Sequence, residues 1–108
     1  MSETASTRPL RVAPTWVVNA RNEDQRLARL TRWIVHECAA WYHPSGTVRA
    51  LSQGIGLGAR TLGSYIAQRK PLTTALAIRL ETSLGRHIVR REDIRPDIFL
   101  SDGKGPLV

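Results

Sequence analysis

Apolar residues recur every three or four positions along most of the chain between residues 22 and 84, which is the spacing of one helix face. The first predicted helix begins near Asn22, a residue type that caps helices well, and ends before Pro44 and Gly46. Its apolar stripe consists of Leu27, Leu30, Ile34, Cys38 and Trp41. The stripe predicts an amphipathic helix that faces the core, and Trp33 and Tyr42 suggest a second packing face.

Three shorter helices are predicted after the first one. One is capped by Thr47 and covers the region around Leu51, and the next spans about residues 59–69. The last of the three begins at Thr73 or Thr74 and stops at Gly85, because glycine commonly ends helices. Its apolar stripe consists of Leu76, Ala77, Leu80 and Leu84.

The two ends of the chain lack this periodicity. Residues 1–21 are predicted to form a flexible arm, in which residues 16–18 are an extended apolar segment that packs on the first helix, with a dimer contact as the alternative. Residues 91–94 are expected to form one helical turn, and residues 100–108 a disordered tail. The pattern therefore predicts an all-α fold, a small helical domain of four to five helices over residues 22–99.

The stretch QGIGLGARTLGSYIAQRK, residues 53–70, is rich in glycine. Gly54, Gly56 and Ala59 satisfy the G-x-G-x-x-[GA] pattern of dinucleotide-binding loops, but that pattern is meaningful only after a buried strand. The preceding residues TVRALSQ have the pattern of a helix, and no Gly-Lys-Ser/Thr triplet follows to form a phosphate-binding loop. Nucleotide binding is therefore not expected.

The same stretch fits two short helices joined by a tight turn, a helix-turn-helix unit over about residues 47–69. With Gly56 as the turn glycine, apolar residues fill the offsets that such a unit buries, namely Leu51, Leu57, Leu62 and Tyr65. Ser52 is a small residue at the position where the two helices need close contact. Gly58 then caps the second helix, and Gly54 is a point of close approach between helices.

The net charge of the chain indicates which class of binding partner it favours. The chain has 16 Lys and Arg against 9 Asp and Glu, so its formal net charge is +7. Residues 1–35 carry six cations and three anions, residues 36–80 five and one, and residues 81–108 five and five. The excess therefore lies in the first three quarters of the chain, and it favours a polyanionic partner, usually a nucleic acid.

Three further motifs follow the glycine-rich stretch. They are a basic step into proline (Arg69, Lys70, Pro71), a helix with Ala77, Ile78, Glu81 and Gly85, and the phrase VRREDIRPD at residues 89–97. Over residues 46–99 the chain thereby resembles the Cro-related helix-turn-helix proteins of the YdaS type, which are prophage regulators. Gly58 departs from the family pattern, which usually has a serine or another capping side chain at that position.

The resemblance implies a λ-repressor/Cro-like fold and a transcriptional regulator, a repressor, that acts as a homodimer on a palindromic operator of double-stranded DNA. The helix 59–69 would enter the major groove, and Arg60 is the best candidate for reading a guanine. The residues expected to contact bases are Ala59, Arg60, Gly63, Ser64 and Gln68. The residues expected to contact phosphates are Thr47, Arg49, Gln53, Thr61, Arg69 and Lys70.

A second hypothesis is a protein-interaction module, such as an antitoxin or a phage-encoded inhibitor that binds a toxin or a host factor. Trp16, Trp33 and Trp41 would form its binding face, because tryptophan is frequent at interface hot spots. Basic residues in the region 8–32 would either add a sequence-independent grip on DNA or only keep the first helix soluble.

Catalytic, metal and cofactor sites are not predicted, and the chain is not expected to be an enzyme. His36, Cys38 and His43 are near in sequence, but positions 36 and 38 do not share a helix face, and further ligands are missing. Cys38 fits a core position. The acidic residues at 92–97 are expected to form caps and ion pairs with neighbouring arginines. The chain lacks an apolar run of membrane-spanning length, so a cytoplasmic, nucleoid-associated protein is expected.

Overall fold

The computed structural model describes residues 13–99, and within this range the chain forms seven α-helices and no β-strand. The helices are α1 (Thr15–Val18), α2 (Glu23–Tyr42), α3 (Val48–Gly54), α4 (Thr61–Ala67), α5 (Thr74–Leu84), α6 (Arg91–Ile94) and α7 (Pro96–Phe99). The all-α prediction is confirmed. The count exceeds four to five because α1, α6 and α7 are single turns, of which only α6 was expected. Residues 1–12 of the predicted arm and the predicted tail lie outside the described residues.

The long helix α2 is at the centre of the fold and contacts α1, α3, α4 and α6. Asn22 caps it as predicted, since its Oδ1 accepts a hydrogen bond from the Gln25 N–H at 2.8 Å. The buried face of α2 contains Leu27, Leu30, Thr31, Ile34, Val35, Cys38 and Ala39. Four of the five predicted stripe residues are therefore in the core, and Trp33 packs against it.

The last turn of α2 differs from the prediction. Trp41 is 45% exposed although its spacing continues the buried stripe. Residues 40–43 are all exposed, so the helices that pack on α2 do not cover the side chains of this turn. The ring of Tyr42 lies over Gly54 at the end of α3, and a side chain on residue 54 would collide with it. Gly54 is thus a point of close approach between helices, as expected.

Residues 16–18 are not extended, and that prediction is wrong, because Thr15–Val18 form the helical turn α1. Val17 is buried, whereas Trp16 is 43% exposed. Two arginines of α2 contact Trp16: Arg29 donates from Nη1 to its carbonyl oxygen at 2.7 Å, and the guanidinium of Arg32 lies 5.6 Å from its ring centroid. Hydrophobic, hydrogen-bonding and cation–π contacts therefore hold α1 on α2.

The starts of α3 and α5 and the end of α5 are determined by capping residues that are recognisable in the sequence. Thr47 accepts a hydrogen bond from the Ala50 N–H and Thr73 accepts one from the Leu76 N–H, both at 3.2 Å. Gly85 ends α5 with a φ of +97°. Thr47, Thr73 and Gly85 thus have the roles predicted for them.

Two buried hydroxyl groups connect elements that are distant in sequence. Thr31 Oγ1 accepts a hydrogen bond from the Leu72 N–H at 3.1 Å, and Ser52 Oγ accepts one from the Leu62 N–H at 3.1 Å. All four residues are 0% exposed. Because water cannot reach these amides, each hydroxyl satisfies a donor that would otherwise be buried without an acceptor.

Glu81 of α5 is buried at 4% exposure and joins α5 to α6. Its carboxylate accepts hydrogen bonds from Arg91 Nε at 2.7 Å and from the Arg91 N–H at 3.3 Å, and it pairs with Arg86. Burial alone would raise the pKa of Glu81, but the hydrogen bonds from Arg91 and the charges of both arginines outweigh burial and lower it.

The remaining charges near the end of the described chain are paired locally, as expected. Arg90 pairs with Asp93 at 3.0 Å, Arg95 with Asp97 at 2.7 Å, and Arg86 with Glu92 at 2.8 Å. The Asp93 carboxylate also accepts the N–H of Arg90 and so caps α6. Three arginines and three acids of this region therefore neutralise one another, and the basic excess lies elsewhere.

The variant Ser52→Ala is expected to reduce the free energy of unfolding by about 1–3 kcal/mol, because the buried Leu62 N–H loses its acceptor. Urea denaturation measures this change. The matched control is Ser83→Ala on the exposed side of α5, which is expected to stay within about 0.5 kcal/mol of the wild type. Equal stabilities of the two variants would show that the buried bond has no net role.

Stability is expected to fall in acid through Glu81. Since its folded-state pKa is lowered, its contribution is complete above the ordinary value of 4.5 and is lost as pH falls through the folded-state value. Denaturation between pH 3 and pH 7 should therefore show a flatter acid dependence in Glu81→Gln, together with lower stability at pH 7. The control Glu37→Gln removes a carboxylate that has no ion pair within residues 13–99, and it should keep the wild-type slope.

Candidate nucleic-acid interface

α3 and α4 pack against each other and are joined by residues 55–60. Gly56 lies in this connection with a φ of +85°, as expected of the turn glycine. Its N–H donates to the Gln53 carbonyl at 3.1 Å, and the Leu57 N–H donates to the Ser52 carbonyl at 2.9 Å. This pair of hydrogen bonds ends α3, and it requires a residue with a left-handed backbone conformation, which glycine adopts without strain.

The start of α4 differs from the prediction. The helix begins at Thr61 instead of residue 59, and Arg60 takes the N-cap position without making a side-chain capping bond. The prediction that Gly58 is the cap is wrong, because its carbonyl only accepts a turn hydrogen bond from the Thr61 N–H. The acceptor comes instead from α3, since the buried Ser52 hydroxyl binds the amide of Leu62 in the first turn.

The end of α4 is shorter than predicted, because the helix stops at Ala67. Arg69 has a φ of +55° and is the one non-glycine residue with a positive φ in the described part of the chain. Its N–H donates to the Ile66 carbonyl at 3.1 Å, and the Lys70 N–H donates to the Tyr65 carbonyl at 3.0 Å. Arg69 thus occupies the helix-ending position for which glycine is the usual residue.

The two sides of α4 have different environments. Leu62 is fully buried, and Tyr65 and Ile66 pack against the core. Gly63 is on the other side, and a methyl group added to it would meet no atom outside its own helix backbone within 4 Å. The fold therefore does not need a glycine at this position.

The structure leaves all eleven predicted contact residues at least partly accessible. Exposed are Thr47, Arg49, Gln53, Arg60, Gln68, Arg69 and Lys70, and half-buried are Ala59, Thr61, Gly63 and Ser64. Two of their hydroxyls already have partners inside the chain, since Thr47 caps α3 and Ser64 Oγ donates to the Thr61 carbonyl at 2.9 Å. These two side chains are therefore weaker candidates for DNA contacts than the four cations.

Those cations lack carboxylate partners. Within residues 13–99, no ion pair involves Arg49, Arg60, Arg69 or Lys70. Arg79 of α5 also has no carboxylate partner there, but it donates from Nη1 to the Ile55 carbonyl at 3.0 Å and so fixes the connection between α3 and α4. The uncompensated positive charge of the described chain thus includes α3 and the segments on both sides of α4.

A groove that sequence reasoning did not find lies between α2 and the end of α4. Its volume is about 850 Å³, and its lining includes Arg21, Arg29, Arg32, His36 and Arg69. We call it the arginine groove. The signal in the sequence was a row of arginines off the apolar stripe of the first helix, but their proximity to residue 69 depends on the packing of α4 against α2.

The histidines and the cysteine do not form a site. Burial raises the pKa of Cys38 to about 12, so its thiol stays protonated, and His36 is exposed. Within residues 13–99 no cluster of three metal-ligating side chains occurs, and no helix there is both long and apolar enough to cross a membrane.

Comparison of the chain with models of protein families, with curated proteins and with solved structures finds no match. The resemblance to prophage regulators therefore rests on the sequence motifs alone.

Proposed function

We propose that the chain is a sequence-specific DNA-binding regulator that inserts α4 into the major groove of double-stranded DNA. It acts as a homodimeric repressor on a palindromic operator, as the resemblance to Cro-related prophage regulators implies. The main support is the combination of a glycine without a role in the fold inside one short helix and cations without carboxylate partners just before and just after that helix.

Gly63 supports close approach of an external partner to α4. A glycine inside a helix costs about 0.5–1 kcal/mol relative to alanine. Space for a methyl group is available at residue 63, so packing within the chain does not explain this cost. The absence of a side chain would, however, let the helix backbone approach the base edges of DNA.

The cations around α4 support a polyanionic partner. Arg60 lies at the start of the helix, where helix-turn-helix proteins place the residues that read bases, and its planar guanidinium matches the O6 and N7 acceptors of guanine. Lys70 follows the end of the helix, where a phosphate contact is expected. One such unit contacts few base pairs, which is the reason for proposing a dimer.

The alternative, a protein-interaction module, is favoured by the exposure of Trp16 and Trp41, which are 43% and 45% exposed. The three tryptophans do not form the one continuous face that this hypothesis needs. Trp33 is half-buried and lines a shallow groove with Trp16, but Trp41 is not part of that groove. Trp16 lies beside Arg32, and Trp41 is nine residues further along α2, a separation of about 14 Å at 1.5 Å per residue. DNA binding is therefore the better-supported proposal.

Arg60→Ala is expected to lose operator preference and to retain binding to random DNA, because it removes a base contact and leaves the phosphate contacts in place. The measurement is a titration of each protein with two duplexes, an operator selected from a random-sequence library and a competitor, at several salt concentrations. The ratio of the two affinities gives the operator preference. Lys70→Ala should weaken binding to both duplexes equally and lower the salt slope by about one.

The control is Arg26→Ala, which removes the same charge from α2 at a residue that pairs with Glu23 at 2.8 Å. It should retain operator preference. Operator binding by Arg60→Ala and Lys70→Ala that equals the wild type would show that α4 is not the recognition helix.

Gly63→Ala is expected to increase the free energy of unfolding by about 0.5–1 kcal/mol and to weaken operator binding. The stability gain follows from helix propensity, and the loss of affinity follows from a methyl group between the helix and the DNA. Urea denaturation and operator titration on the same preparation measure both effects. The control Ser83→Ala introduces an alanine on the exposed side of α5, away from α4, and should leave operator binding unchanged. Unchanged affinity in Gly63→Ala would contradict close approach.

A further inference from the structure

We propose that the arginine groove is a second binding site of the same protein, which takes the phosphodiester backbone of the DNA that passes the end of α4. This inference rests on the proposed function for the identity of the duplex. It adds a contact surface on α2 that the helix-turn-helix region does not include.

The charge of the groove identifies the class of ligand. Four of its lining side chains are guanidinium groups, those of Arg21, Arg29, Arg32 and Arg69, and a single carboxylate, that of Asp24, lies among them. Asp24 forms no ion pair with any of these arginines in the described chain. The groove therefore has a net positive charge that internal pairs do not neutralise.

Two of the arginines are oriented before any ligand binds. Arg29 uses Nη1 to bind the Trp16 carbonyl, and Arg32 lies over the ring of Trp16, a contact that uses none of its N–H donors. The turn α1 thus limits the freedom of both side chains and leaves donors for a ligand. Such preorganisation reduces the entropy that binding would otherwise cost.

The backbone of Arg69 is the second, independent observation. α3 and α5 end at residues with positive φ that are glycines, Gly56 and Gly85, whereas α4 ends at an arginine in the same region. A side chain in this conformation is strained, and strain of this kind concentrates where a residue is needed for its side chain. Because Arg69 lines the groove, its guanidinium is the apparent reason for its presence.

The phosphodiester backbone is the occupant that fits these features. Guanidinium groups bind phosphate oxygens through paired N–H donors, and several arginines along one groove match a chain of phosphates better than a single anion. Ile66 and Ala67 of α4 form part of the groove wall. A strand that follows the groove would therefore pass directly by the end of the helix that is proposed to enter the major groove.

The test uses random-sequence duplex DNA with the full-length protein and the variants Arg69→Gly and Arg21→Gln. Each variant should reduce the slope of log affinity against log salt by about one, because one phosphate contact is lost. Arg69→Gly should also raise the thermal midpoint by about 4 °C, since glycine relieves the backbone strain. Arg69→Lys keeps the charge and the strain, and it should retain the wild-type slope without a gain in midpoint.

A wild-type salt slope in Arg21→Gln would overturn the proposal even if Arg69→Gly lowers the slope, because Arg69 is also a predicted phosphate contact of the helix-turn-helix unit. The proposal is also overturned if the two variants lose binding to labelled poly-glutamate while their DNA binding is unchanged. That result would identify an acidic protein as the occupant. The proposed function can fail separately. If the wild type shows no operator preference but the groove variants still lower the salt slope, the groove binds DNA and α4 does not read its base sequence. If Arg60→Ala loses operator preference and Arg21→Gln keeps the wild-type salt slope, the groove inference alone is wrong.

Discussion

The buried face of α2 is the constraint on which the other helices depend. Every other described helix has eleven residues or fewer, and isolated helices of that length are marginal in water. Four of them, α1, α3, α4 and α6, pack against one twenty-residue helix whose central residues Ile34, Val35 and Cys38 are completely buried, and α5 and α7 pack on α6. Thr31 on the same face also accepts a hydrogen bond from the Leu72 N–H. The face of α2 therefore supplies an acceptor for a buried amide in addition to apolar surface for packing. The positions of α3 and α4, and hence of the candidate interface, follow from this packing.

Features that depend on residues near in sequence were predictable, and features that depend on distant ones were not. Asn22, Thr47 and Thr73 cap helices through amides three residues away, so their roles could be derived from the sequence. The start of α4 could not be derived in this way, because the Leu62 N–H in its first turn donates to Ser52, which is ten residues earlier and on another helix. For the same reason the exposure of Trp41 was missed, since periodicity gives the face of a helix but not the point where its neighbours end.

The candidate site shows the same division. The cations at residues 60, 69 and 70 and the glycine at residue 63 could be selected from the sequence, because the helix pattern indicated which side of α4 faces the core. The arginine groove could not be predicted, because Arg29 and Arg69 are forty residues apart and meet only through the packing of α4 on α2. Gly63 inside the seven-residue helix α4 and Arg69 two residues after its end are both unfavourable for the stability of the fold.

The small turn α1 has a thermodynamic consequence for the groove beside it. Its contacts with Arg29 and Arg32 exist only while residues 15–18 are folded on α2, and peripheral elements of this size open locally at a fraction of the global unfolding free energy. If an anion occupies the groove as proposed, folding of α1 and occupation of the groove are linked equilibria, each of which favours the other. The apparent dissociation constant of an anion in the groove then equals its intrinsic value divided by the folded fraction of α1. Four residues that touch no ligand would in this way set the affinity of a neighbouring surface.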